Sequence, residues 1–137
     1  MRLDLYQAET ARIAAEQTAL LDEAFRRRQA GQILSALEQN GVLHAWQVLI
    51  ENCIGKAKHL LKARNDPVPV SAYDAFTTLH RLGLVSSDAL PQWQAVIGLR
   101  NRIVHDYMDI DLAAIMALVD AQRYLFLRDF LLTPIVL

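Results

Sequence analysis

The stretch VLHAWQVLIENCIGKAKHLLKAR, residues 42–64, has the clearest periodicity in the chain. Its apolar residues recur at steps of three and four, which places them on one face of an α-helix. They are Leu43, Trp46, Leu49, Ile50, Cys53, Ile54, Ala57, Leu60 and Leu61. A helix with such a wide apolar face packs against other helices, so this stretch predicts a helical bundle.

Four further segments have the helical period, and no segment shows the apolar–polar alternation of a strand. Asn40-Gly41 indicates a stop or a kink before the second helix, and the two prolines of NDPVPVS, residues 65–71, exclude a helix there. The predicted helices span about residues 4–28, 42–64, 72–82, 89–105 and 112–132. The sequence therefore predicts one all-α domain over residues 1–137, an up-and-down bundle of about five helices.

Composition limits the classes of function. The chain has 137 residues, of which 53% are hydrophobic and 21% charged, a balance typical of a globular protein. No apolar run approaches the roughly 18–20 residues that span a membrane, and the polar N-terminus does not resemble a secretory signal. The single cysteine, Cys53, lies on an apolar stripe and indicates a buried thiol in a reducing compartment. We therefore expect a cytoplasmic protein without a membrane segment.

The net charge of -1 excludes a basic field over the whole protein. Any surface that binds nucleic acid must then be a local patch. Two basic groups are candidates for such contacts, although charge runs more often form solvated faces. They are Arg26-Arg27-Arg28 and the set Lys56, Lys58, Lys62 and Arg64.

An arginine lies within the apolar face of the fourth predicted helix, in the stretch GLRNRIVHDY, residues 98–107. At about 100° per residue, Arg100 falls near the centre of the arc that contains Ile97 and Val104. By contrast, Arg102 points to the opposite side, where a solvated charge is expected. Because an unpaired guanidinium in a dry core is costly, Arg100 requires a partner or a wet environment.

Three explanations for Arg100 remain open at this point. It pairs with an internal carboxylate, for instance Glu51 on the second helix. Alternatively, it lies at a subunit interface that is not fully dry. In the third explanation it lines a cleft and binds an anion, since a planar guanidinium suits phosphate or carboxylate.

His105 adds a group that gives or takes a proton near neutral pH. On an ideal helix Arg100 and His105 lie about 140° apart and do not converge. Turn and cap residues from Asp106 onward predict that the helix ends at His105, which frees its side chain to turn back towards the arginine. Asp106 could then orient the imidazole. The other histidines, at 44, 59 and 80, are scattered and form no cluster with metal-ligand spacing, so no metal or cofactor is predicted.

The order Arg100, four residues, His105, one residue, Tyr107 resembles the signature of HepT toxins, which belong to the HEPN superfamily of small all-α ribonucleases. Asn101 after the arginine and Asp106 before the tyrosine fit the same pattern. The resemblance extends along the chain in the order of its elements. These are a helix WQVLIENCIGKAKHLL, a loop with prolines, a short helix in YDAFTTLHRLGLV, and the helix with the motif.

The resemblance implies a metal-independent ribonuclease that acts as a homodimer, with the two motif helices forming a cleft. RNA cleavage without a metal needs a base for the 2′-hydroxyl, an acid for the leaving 5′-oxygen and a cation for the phosphorane. A two-fold dimer supplies two copies of Arg100 and His105, the candidate catalytic residues. Asn101, Asp106 and Glu51 are supporting candidates. The implied substrate is RNA, with transfer RNA as one target class of the family.

The resemblance also implies an antitoxin partner, a minimal nucleotidyltransferase of the MntA type. Such a partner transfers AMP to the motif tyrosine, here Tyr107, and the added anion blocks RNA phosphate by charge and volume. Without the resemblance, Tyr107 is an ordinary hydrogen-bonding tyrosine at a helix end. Two alternatives stay open: a non-catalytic HEPN-like partner that binds nucleotide for a nucleotidyltransferase, and a structural bundle in which Arg100 is buried against Glu51.

Overall fold

The computed structural model describes residues 3–134, with the exception of the side chain of Tyr107. Every regular element within that range is helical, which confirms the predicted all-α class. The helices are α1 Leu3–Gln29, α2 Ala36–Ala63, α3 Ala72–Arg81, α4 Ala89–His105, α5 Leu112–Asp120 and α6 Tyr124–Leu132, with a 3-10 turn Tyr107–Asp109 after α4. None of these described helices is long and apolar enough to cross a membrane.

The start of α2 differs from the prediction, because the helix begins at Ala36 and runs through Asn40-Gly41 without a break. A reciprocal capping box fixes the new start. The backbone N–H of Glu38 donates to Ser35 Oγ at 3.1 Å, and the N–H of Ser35 donates to Glu38 Oε1 at 2.8 Å. The side-chain amide of Asn40 donates a hydrogen bond to the carbonyl of Ala36 at 2.9 Å, and this bond accommodates Asn40 within the helix.

The last predicted helix, residues 112–132, is divided into α5 and α6, so the number of helices is six rather than five among the described residues. Asp111 caps α5 by accepting from the N–H of Ala114 at 3.2 Å. Gln122 then adopts a φ of +52°. The N–H of Arg123 donates to the carbonyl of Leu118 at 3.1 Å, the pattern of a Schellman C-cap without glycine.

The chain divides into two compact units, and α2 contributes residues to both. The first unit contains the residues up to Leu49 and Asp111–Pro134. Here α1 packs against α5 and α6, and the ring of Trp46 meets that of Tyr124 edge to face at 6.1 Å. The Tyr124 hydroxyl donates to Asp22 Oδ1 at 2.6 Å, and burial together with this bond raises the pKa of Tyr124 to about 12.

The second unit, Ile50–Ile110, contains the second half of α2 together with α3 and α4. Phe76 of α3 stacks on Trp93 of α4 with the ring centroids 4.3 Å apart. Cys53 is fully buried and forms no disulfide, as predicted for a buried thiol, and its burial raises the pKa of the thiol. That the whole chain is one domain stays a prediction.

Candidate active site

Helix α4 carries three of the candidate residues, Arg100, Asn101 and His105. The hydroxyl of Ser86 accepts from the N–H of Ala89 at 3.1 Å and opens the helix, which then buries three apolar side chains against the second unit. These are Trp93, Ile97 and Ile103. The helix ends at His105, the residue at which the sequence predicted its end. The packing of this buried face therefore determines where the side chains of Arg100 and His105 lie on the surface of α4.

Arg100 is held by two side chains of the second unit. Its Nε donates to Glu51 Oε1 at 2.7 Å, and its Nη1 donates to Asn101 Oδ1 at 3.2 Å. The two ionic side chains are 30% and 43% exposed, so their attraction contributes at most about 1 kcal/mol to stability. Nη2 makes no hydrogen bond to the described residues. Glu51 and Asn101 thus orient the guanidinium and leave one of its nitrogens available.

Arg100 and Asn101 also line a cleft of about 190 Å³ in the second unit. Arg100 therefore has both a carboxylate partner and a position beside a cleft, which are two of the three explanations considered for it. The structural alternative, a guanidinium buried against Glu51, does not fit a side chain that is 30% exposed. The interface explanation requires a second copy of the chain and stays a prediction.

His105 and Asp106 are both exposed at the end of α4. Neither side chain makes a hydrogen bond to the other or to Arg100 among the described residues. The geometry expected for an imidazole oriented by Asp106 is therefore not present in a single chain. The exposed ring of His105 is accessible to a ligand.

Tyr107 begins the 3-10 turn that follows α4. Its backbone is therefore two residues beyond His105, but its side chain lies outside the described part of the structure. The prediction that Tyr107 accepts an AMP group stays a prediction.

The two basic groups do not form two continuous patches. Arg27 pairs with Glu38, and Lys56 is buried, with only 2% of its surface exposed. Lys58 is half-buried and lines the same cleft as Arg100. Sequence analysis missed this difference, although helical geometry signals it: residues 56 and 58 are about 160° apart around α2.

The sequence predicts no metal-binding residues. In the described part of the chain, no three His, Cys, Asp or Glu side chains are placed close enough together to hold a metal ion. Of the scattered histidines, His44 is exposed on α2. His80 contacts the carbonyl of Val85 through Nδ1 at 2.9 Å, a structural contact that closes the end of α3.

Comparisons with known proteins identify relatives of this chain. A sequence model of the family described as "Ribonuclease HepT-like" matches residues 14–132. The mRNA nuclease HepT of Shewanella oneidensis is 31% identical over 81 residues, which are 59% of this chain and 61% of that protein. The match thus spans less than two thirds of the length of that relative.

Two solved structures share the fold. One is the tri-AMPylated HEPN toxin of Shewanella oneidensis in complex with an MNT antitoxin. It is 25% identical, with a TM-score of 0.63, and the match covers 86% of this chain and 95% of that chain. The other is a toxin–antitoxin structure with AMP-PNP, 23% identical with a TM-score of 0.63, and that match covers 87% and 97%. The predicted HEPN-like fold is confirmed.

Proposed function

The chain belongs to the ribonuclease HepT-like family, and on that premise we propose that it is the toxin of a HEPN/MNT toxin–antitoxin pair, a metal-independent ribonuclease of the cytoplasm. One observation carries the proposal. The helix that ends in the exposed His105 also holds Arg100, oriented by Glu51 and half-exposed beside a cleft. A proton-transfer group and an oriented cation are the two kinds of group that RNA cleavage without a metal requires.

The proposed reaction is an attack of the ribose 2′-oxygen on the adjacent phosphorus. A base removes the 2′-proton as the new P–O bond forms, and an acid protonates the 5′-oxygen as the old P–O bond breaks. The products are a 2′,3′-cyclic phosphate and a 5′-hydroxyl. Arg100 stabilises the negative charge of the phosphorane, and its pairing with Glu51 holds the guanidinium in place before the substrate binds.

A homodimer is proposed because one chain has one motif histidine, whereas the reaction needs both a base and an acid. Two copies of His105 related by a two-fold axis supply them. An exposed apolar residue supports an interface at this end of α4: Val104, directly before His105, is 41% exposed. Burying it against a second copy removes apolar surface from water.

The partner is proposed to be an MNT-type nucleotidyltransferase, since the HEPN toxin whose structure is 25% identical to this chain is in complex with an MNT antitoxin. In the proposed regulation, the partner transfers the AMP group of ATP to the Tyr107 hydroxyl and releases pyrophosphate. The AMP places a negative phosphate two residues from His105 and so repels and blocks the RNA. That related toxin is tri-AMPylated, which supports this regulation.

The substrate is proposed to be RNA. The relative with 31% identity is an mRNA nuclease, which favours messenger RNA as the first class to test, with transfer RNA as the second. Gel analysis of total RNA separates them, because cleaved transfer RNA gives discrete short fragments whereas messenger RNA is lost transcript by transcript.

The test is a matched expression of four proteins in a bacterial host: wild type, His105→Ala, Arg100→Ala and Arg102→Ala. Arg102 is an exposed arginine on the same helix and serves as the control. We expect growth arrest and RNA cleavage from the wild type and from Arg102→Ala only. Cleavage that persists in folded His105→Ala contradicts the proposal. Intact RNA from all four proteins favours instead a non-catalytic nucleotide-binding partner of a nucleotidyltransferase.

A further inference from the structure

The cleft beside Arg100 extends well beyond the catalytic candidates. It is bounded by α2, by the end of the loop with the prolines, by the start of α3 and by α4. Lys58, Tyr73 and Asn101 line it together with Arg100, and all of them belong to the second unit. The cleft is therefore complete within one chain, and it brings polar side chains of three helices to one place.

Lys58 gives this cleft a positive charge that no described carboxylate neutralises. Its ammonium group donates one hydrogen bond, to the carbonyl of Val70 at 2.6 Å, and makes no salt bridge within the described residues. An ammonium has three donors, so two remain for a ligand. Nη2 of Arg100 likewise has no hydrogen-bond partner there. Two cationic side chains that face one cleft with donors to spare favour an anionic ligand.

Tyr73 adds an aromatic surface to the same cleft. The side chain is 48% exposed, and the amide of Gln94 donates to its hydroxyl at 2.9 Å, which fixes the ring at one end. The phenolic proton remains available as a donor. An exposed ring beside cationic groups is the arrangement with which proteins bind single-stranded nucleic acid, since bases stack on the ring and the cations bind the backbone.

The volume of the cleft distinguishes a free nucleotide from one nucleotide of a longer RNA as its ligand. About 190 Å³ is below the roughly 300–1,000 Å³ of a pocket that encloses a small molecule. A free nucleotide would thus be only partly enclosed. One residue of a longer chain, held also by contacts on either side, suits the space better.

We infer that this cleft binds one nucleotide of single-stranded RNA next to the scissile phosphate, with Lys58 on its phosphate and Tyr73 against its base. The inference rests on the proposed function, because it takes Arg100 as the group that binds the scissile phosphate. Lys58 and Tyr73 are positioning residues, which place the substrate and take no part in proton transfer.

The experiment measures binding of a short, labelled single-stranded RNA to the full-length protein at several salt concentrations, with His105→Ala in every protein so that the RNA stays intact. Lys58→Met is expected to weaken binding about tenfold at low salt. It is also expected to reduce the slope of log Kd against log salt by about 0.7, the value for one phosphate of a single strand. Lys62→Met, on the same helix but outside the cleft, keeps the slope of the parent protein.

Three further variants decide the outcome if Lys58→Met does not fold, since Lys58 also holds the carbonyl of Val70. Tyr73→Ala is expected to weaken binding about 5- to 150-fold through the loss of one stacked base. Tyr73→Phe keeps the ring and is expected to bind nearly as well as the parent protein. Lys58→Arg keeps the charge and is expected to retain the salt slope.

Each result separates the cleft from the nuclease. An unchanged slope in folded Lys58→Met overturns the inference, whether or not the wild type cleaves RNA. Normal binding by Tyr73→Ala overturns the stacked base and assigns the cleft to phosphate alone. If binding by the His105→Ala parent has a slope that depends on Lys58 but the protein with His105 intact does not cleave RNA, RNA binding by the cleft stands and the ribonuclease proposal fails.

Discussion

Replacing Lys56 with methionine is expected to remove a rise in stability that the wild-type protein shows at alkaline pH. Lys56 lies on α2 with 2% of its surface exposed. Burial lowers its pKa from 10.5 to about 8, an effect that the charge interaction with Cys53 partly offsets. The unfolded chain exposes the lysine to water and keeps the ordinary value. The two states thus hold the proton differently over a range of pH.

The sign and size of the effect follow from these two pKa values. Between pH 8 and 10.5 the unfolded lysine still binds a proton that the folded one has lost, so the free energy of unfolding rises with pH. Below pH 8 both states are protonated, and the full cost of the buried charge is present. One pKa unit corresponds to about 1.36 kcal/mol, and integration from about pH 7.5 to 9.5 gives a rise of about 2 kcal/mol.

Urea unfolding of wild type, Lys56→Met and Lys62→Met at those two pH values measures this rise. The raised pKa of the buried Cys53 thiol lowers the free energy of unfolding at alkaline pH in all three proteins. The difference between the proteins in the change with pH therefore measures the contribution of Lys56. We expect the wild type and Lys62→Met to gain about 2 kcal/mol relative to Lys56→Met. If all three change equally, Lys56 does not titrate as a buried group, and its assigned environment is wrong.

Two other substitutions test the proposed site. Tyr107→Phe is expected to leave RNA cleavage largely intact but to prevent AMP transfer, because the ring no longer has a hydroxyl. Mass spectrometry of the variant after incubation with the antitoxin and ATP measures AMP transfer. A mass increase of one AMP contradicts this prediction. Glu51→Gln is expected to lower kcat about tenfold through the loss of a charge-assisted bond to Arg100, with the pH profile of kcat unchanged because the proton-transfer groups remain. A shifted profile would assign Glu51 a role in proton transfer instead.

The class of the fold could be predicted from periodicity, and the errors concern helix ends. Ser35 and Glu38 have the spacing of a capping box, but the prediction did not use it. It relied on Asn40-Gly41 instead, because both residues disfavour a helix interior. The break at Gln122 had no local signal. A glutamine with φ of +52° is rare, and the packing of α5 and α6 against α1, rather than local preference, holds it there.

The features of the site that depend on one helix could be predicted from the sequence. The contacts between residues of different helices could not. Helical geometry was enough to show that Arg100 lies on a face where a lone charge does not belong. Its partner Glu51 is 49 positions away in sequence, so their contact was one of several open possibilities. Lys58 and Tyr73 meet in one cleft only because the loop between α2 and α3 turns the chain back, which no spacing in the sequence reveals.

The charges of the second unit supply a local attraction for the proposed RNA substrate in a protein with a net charge of -1. The Glu51 carboxylate balances Arg100, so the pair orients a guanidinium without adding net charge. Lys58 is then the group that makes the cleft positive, since no described carboxylate pairs with it. The proposed two-fold dimer would double this local charge while the protein as a whole stays slightly acidic. In the proposed function, attraction is therefore concentrated at the site of cleavage, and binding elsewhere on the surface is expected to be weak.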